Sequence, residues 1–358
     1  MTSNGARLLP ITSFLTLAIA LTAGTGWGQT SGTGPKDANS ACSTSVATDV
    51  PQASISNGPI YAVVYLPDAK NGYYRSSRFD WSGVIPCLTY KGHNYFGIWF
   101  PQHDPLVADS LTGPVEEFRS ADGALGYNDA EAGGVFVKPG IGILRKVDDA
   151  PYKYNSAYTV LDAGEWTIRT KKTSVTMKQR LQSPVGYSYD YQKVLRLDGH
   201  QPVLVIEHVM KNTGTKTIDS DVYDHDFYTL DGAPTGPGMV IHFPFVPIPS
   251  SPLEPGAEIV GKDIVYKQEL LPRPRGTVTA FLSGFSNKAS DYDFTFENRD
   301  TGTGVEQTSD SPMSNFNLWS IRTTVAPEAY IHVHIAPGET QRWSIRYRFF
   351  AKDVLPEK

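Results

Sequence analysis

In the stretch "RWSIRYRFF", Trp343, Ile345, Tyr347 and Phe349 alternate with Ser344, Arg346 and Arg348. A period of two sends successive side chains to opposite faces, the signature of an extended strand with one buried side. The same pattern recurs along the chain. In "GYSYDYQKVLRLDG", Tyr187, Tyr189 and Tyr191 share one face, and in "YIHVHIAPGE", Ile331, Val333 and Ile335 oppose Tyr330, His332 and His334. Turn signals separate these segments, at Asp198, "NTGTK" from Asn212, "PTGPG" from Pro234 and "PGE" from Pro337. Almost no segment has helical periodicity. Many strands without intervening helices predict an all-β chain, a large antiparallel β-sandwich. The absence of a fixed-period repeat argues against a propeller. "FPFVPIPSSPLEPG", Phe243 to Gly256, has too many prolines for a central strand and is expected to be a loop or rim segment.

Three regions are expected along the chain. Residues 1–30 have a positive start, an apolar run and small residues after it, the pattern of a signal peptide directing the protein to the periplasm or outside the cell. Residues 31–58 are polar and rich in Gly, Ser and Thr, as in a disordered tether. Residues 59–358 form one domain with no further boundary. A net charge of −5 without a basic stripe argues against nucleic acid as a partner, and no membrane association is expected once the signal is cleaved. Nineteen tyrosines and six tryptophans suit packing against sugar C–H faces, although strands favour aromatics in any case. Cys42 and Cys87 could form one disulfide in an oxidising compartment, which requires their Cα atoms to lie within ~7 Å.

The chemistry-bearing residues concentrate in "DVYDHDFYTLDG", Asp221 to Gly232. His225 sits between Asp224 and Asp226, which alternate with it and so face the other side of the strand. Asp231 follows and could line a rim. His332 and His334 have a spacing that can supply two imidazoles to one zinc. With no third ligand identifiable, a solvated strand face is expected there, and neither metal nor other cofactor is predicted. His208 shares a face with Leu204, Ile206 and Met210 and reads as a core histidine, while Glu207 is either a cleft residue or an ion-pair partner. In "YYRSSRFDW", Arg75 or Arg78 could fork onto hydroxyls or a carboxylate, or pair with Asp80 to hold a hairpin.

The Val203–Asp231 region, a strand, a "KNTGTK" turn and a strand ending in "YDHDFYTLD", resembles the galactose mutarotase-like (aldose epimerase) superfamily. The match lies in the histidine and the aromatic-x-Leu pattern after it. The "APGETQRWSIRYRF" stretch resembles the closing P-G-E hairpin of that group, while "GPVEEFR" and "EAGG" fall where it has an arginine-bearing loop and an "HGG". The resemblance implies a divergent, exported β-supersandwich that binds a mono- or oligosaccharide on a concave sheet. It also implies that His225 protonates the ring oxygen while a carboxylate takes the anomeric proton, interconverting anomers or epimers. A histidine titrates near neutral pH, and flanking carboxylates would keep it charged as an acid.

The chain departs from that pattern. Ala132 replaces the second histidine, with Glu131 beside it, and Pro114 replaces the loop arginine, with Arg119 nearby. The strand expected to carry the catalytic glutamate offers Ser320 and Arg322, and Glu328 falls in an expected loop. Glu117 is therefore the expected base. Arg78, Arg119, Glu131, Tyr228 and Asp231 are expected to hold substrate. A polysaccharide lyase, a glycosidase-type enzyme or a non-catalytic sugar-binding protein on the same sandwich are the alternatives.

Overall fold

The computed structural model describes Cys42 and residues 46–352. The expected signal segment, most of the expected tether and residues 353–358 lie outside the described residues. Among those described, no helix is long and apolar enough to cross a membrane.

Two antiparallel sheets face each other. The first has six strands in the order Ile248–Pro249, Val278–Ser283, Asn315–Ile321, Thr324–Ile335, Ile218–His225 and Val115–Arg119. The second has ten strands, with Thr340–Ala351 and Val203–Asn212 paired at its centre. The apolar sets read from alternation turn inward. Trp343, Ile345, Tyr347 and Phe349 pack with Ile331, Val333 and Ile335 in one core between the sheets. Truncating one such aromatic costs about 3–5 kcal/mol, so this layer holds the sandwich closed. Phe243–Gly256 is mostly irregular, with a two-residue strand at the sheet edge.

A second apolar core forms under the N-terminal loops and unites Tyr74, Phe79, Trp81, Trp99, Phe136 and Phe227. It packs on the side of the six-stranded sheet away from the main core and walls the site described below.

The domain begins earlier than composition suggested. Gln52–Ser56, inside the expected tether, pairs with Ile60–Tyr65, and Ile55 is buried. One alternating apolar residue in a polar stretch was enough to seat the strand. Cys42 and Cys87 are bonded, with Cα atoms 5.6 Å apart, which ties the segment before that strand to the domain.

Candidate active site

One face of the six-stranded sheet is built as a ladder. The Ile218–His225 and Thr324–Ile335 strands pair Asp219 with His334, Asp221 with His332 and Tyr223 with Tyr330. Regular pairing then stops, and a bridge between Tyr228 and Val325 resumes it in the same register. That register places His225 opposite Glu328 in the gap. Two local features account for the gap. Pro327 has no N–H to give to a ladder, and Phe227 has φ of 47°. The left-handed backbone costs a non-glycine residue about 1–2 kcal/mol. It lays the Phe227 ring flat on the His225 imidazole, centroids 3.7 Å apart.

His225 Nε2 lies 3.2 Å from Glu328 Oε1, and both side chains are buried. Burial lowers the His225 pKa well below its ordinary value, and the nearby Arg78 charge lowers it further. Burial pushes Glu328 up to about 7, although Asn317 donates to its Oε2 at 3.0 Å. The pair therefore holds one exchangeable proton near neutrality, and burial favours keeping it on the carboxyl. His225 Nδ1 has no partner among the described residues. Phe79 and Trp319 meet the imidazole edge-on, with centroids 5.5 and 5.3 Å away.

A cavity of about 320 Å³ opens over the pair. His225, Glu328, Tyr223, Trp319 and Asn317 line it, with Arg78, Arg119 and Arg273 around them. Arg78 is committed elsewhere, to Asp109 and, through Nε at 2.9 Å, to Glu117. No described carboxylate forms a salt bridge with Arg119 or Arg273. A wider depression of about 470 Å³ on the ten-stranded sheet is lined by strand side chains such as Lys178, Arg180 and Asp190, with no buried acid or histidine among them.

The opposite face of the same strands is also polar. Asp224 and Asp226 point between the sheets, as alternation requires, where the Tyr347 hydroxyl donates to Asp224 and lies 3.2 Å from Asp226 Oδ1. Lys193 donates to Glu116 there and lies 2.8 Å from Asp80 Oδ2. Lys193 pairs with only Asp80 and Glu116 of the four buried carboxylates, and burial pushes Asp224 up to about 6 and raises Glu116 and Asp226 as well. His208 is the core histidine expected, with Nδ1 3.0 Å from the Tyr191 hydroxyl and its ring stacked on Trp343. Glu207 is an ion-pair partner of Arg196.

No protein-family model matches the sequence, and no curated protein matches it in sequence. Solved structures do match. An aldose epimerase homologue from C. elegans aligns over 84% of this chain and 99% of its own, at 14% identity and a TM-score of 0.52. A galactose mutarotase-like protein from Clostridium acetobutylicum aligns over 84% and 95%, at 11% identity and a TM-score of 0.53. A galactose mutarotase related enzyme from Lactobacillus acidophilus aligns over 86% and 100%, at 12% identity and a TM-score of 0.50. The chain has the galactose mutarotase-like fold.

On this galactose mutarotase-like sandwich the residues singled out in the sequence separate into three groups. His225, Arg78 and Arg119 reach the cavity. Glu117 lies beside it in a different state from the one expected of a base. Lys138 donates to one of its oxygens at 3.0 Å, and Arg78 and Tyr223 donate to the other at 2.9 and 2.5 Å. Burial alone would raise Glu117, but Lys138 and Arg78 outweigh it and hold the carboxyl well below the usual range. A carboxylate so stabilised is a poor proton acceptor; it positions Arg78 and Tyr223 instead. The remaining three are elsewhere. Glu131 is exposed in a turn. Asp231 accepts from the Asn94 backbone and contacts His93 at 2.8 Å. Tyr228 is buried against Phe96 on the inner face, one residue out of phase with His225.

Glu328 was misplaced by sequence because Pro327 signals a loop. The available clue was the phase of "PEAYIHVHI", which sets Glu328 two and four residues before Tyr330 and His332 on one face. The expectation of a charged His225 also fails, since its flanking aspartates face away and burial dominates.

Proposed function

We propose that the protein is an epimerase-type isomerase that opens and recloses a sugar ring, with His225 and Glu328 as its proton-transfer pair. The observation that carries this reading is their opposed placement, 3.2 Å apart, beneath a cavity at the small end of the ligand-site range of about 300–1,000 Å³. In the resting pair the neutral imidazole is available as base and the protonated carboxyl as acid. His225 takes the anomeric hydroxyl proton while Glu328 gives its proton to the ring oxygen. The bond from the anomeric carbon to the ring oxygen breaks and a carbonyl forms. Rotation and reclosure with the transfers reversed give the other anomer, with no net gain or loss of protons. Trp319 supplies an aromatic wall to the cavity. Arg119 and Arg273, which form no salt bridge among the described residues, favour a substrate with an acidic group.

The Cys42–Cys87 bond supports a site of action outside the reducing cytoplasm, in keeping with the proposed signal segment. A glycosidase reading is weaker, because that chemistry needs a second free carboxyl and Glu117 is not free.

The test is anomer interconversion followed by NMR over neutral aldoses, uronic acids and sugar phosphates. His225→Ala and Glu328→Gln should each lose about 10²–10⁴ of the rate, with acidic sugars the best substrates. Equal rates for wild type and both variants would retire the proposal.

A further inference from the structure

The far end of the ladder that carries His225 and Glu328 holds a second constellation. His332 and His334 project from the same face of the Thr324–Ile335 strand, and both are exposed. The antiparallel register sets Asp221 opposite His332 and Asp219 opposite His334. The third ligand that the linear sequence does not offer is thus delivered by the adjacent strand. One donor atom each from Asp219, His332 and His334 lie within 4.8 Å of one another.

The orientation of His332 makes this more than proximity. Asp221 Oδ1 lies 3.3 Å from His332 Nδ1 and is itself held by the Ser314 hydroxyl at 2.9 Å. The other ring nitrogen, Nε2, is 3.9 Å from Asp219 Oδ1. Asp219 Oδ2 meets His334 Nδ1 at 2.7 Å. A carboxylate behind one imidazole, turning its free nitrogen toward a second imidazole and a second carboxylate, is how metal-binding histidines are commonly oriented. Zinc bonds of about 2.0–2.2 Å need the three donors roughly 3–3.5 Å apart. Exposed side chains on fixed strands can close that gap by small rotations.

We infer that Asp219, His332 and His334 form a surface site for a divalent transition metal, with Asp221 as the positioning carboxylate. Two imidazoles and one carboxylate suit zinc, nickel or copper rather than calcium or magnesium, which prefer all-oxygen sets. Three protein ligands leave positions for water, so the ion exchanges. The site lies six residues along the strand from His225, on the order of 20 Å away. The metal therefore touches neither the proton-transfer pair nor a monosaccharide above it. It clamps two neighbouring strands of the site sheet.

The experiment is zinc titration by calorimetry on the untagged, disulfide-intact protein after chelator treatment, with thermal unfolding in parallel. One zinc ion per chain should bind and raise the Tm. His332→Ala, His334→Ala and Asp219→Asn should each weaken binding by more than tenfold and abolish the Tm shift, and Asp221→Asn should weaken it about 10-fold. Calcium should leave the Tm unchanged. Unchanged zinc affinity in both histidine variants, no zinc binding at millimolar concentration, or an equal response to calcium would each overturn the site. Because these positions are exposed, the variants fold, and sugar interconversion measured on the same samples keeps this result separate from the fate of the proposed enzymatic reading.

Discussion

His225 and Glu328 stand opposite each other on adjacent antiparallel strands, 3.2 Å apart, at the point where ladder hydrogen bonding lapses between them. Direct cross-strand neighbours have side chains that meet. Asn317 holds one Glu328 oxygen, and burial together with Pro327, which cannot bond across, leaves the other oxygen facing His225 and whatever enters the cavity. The proposed chemistry depends on the single proton the pair holds.

That proton sets the pH dependence of the rate. Burial pushes Glu328 up to about 7, so the kcat/KM for ring opening should fall as pH rises through about 7. A limb near the ordinary glutamate value instead would show that the pair is solvated in the working protein.

The same burial should appear in stability. A carboxyl raised in the folded state contributes stability that is complete below its ordinary 4.5 and is lost as pH rises through about 7. Glu328→Gln removes this dependence. Relative to the variant, wild type should lose up to about 3 kcal/mol between pH 4.5 and 7. Denaturant unfolding of both proteins across that interval measures it, and parallel curves would contradict the buried, neutral Glu328.

Glu117 should behave in the opposite sense. Its pKa is depressed, so its contribution is complete above the ordinary glutamate range and is lost progressively as pH falls from there toward its much lower folded-state value. Glu117→Gln leaves buried Lys138 without a counter-charge and Arg78 with only Asp109, and should cost about 3–5 kcal/mol at neutral pH. Thermal unfolding should show a large drop in Tm. An unaltered Tm would mean that the ion cluster is solvent-relaxed.

Gly113 tests how the His225 strand end is held. A Cβ there would lie 1.8 Å from the Asp226 carbonyl oxygen, so Gly113→Ala must push the "GPVEEFR" strand off the histidine strand. A loss of about 1–3 kcal/mol is expected, with interconversion falling more than Tm alone predicts because His225 moves. A stable, fully active variant would show that this contact is dispensable.

Some of this protein can be read directly from residue order. Alternation such as Trp343, Ile345, Tyr347 and Phe349 determines strands and their buried faces, because side-chain direction in a strand is a local property. It also sent Asp224 and Asp226 away from His225 correctly, and it placed the core histidine His208. What alternation does not contain is which strand lies beside which. Register between Ile218–His225 and Thr324–Ile335 joins residues about a hundred positions apart, and only that pairing makes Glu328 the partner of His225 and Asp219 the neighbour of His334. Protonation follows the same division. Residue order alone favoured Glu117 as the base and put Glu328 in a loop. Tertiary packing surrounded one with Lys138 and Arg78 and buried the other against a neutral ring, fixing opposite shifts through desolvation and nearby charge.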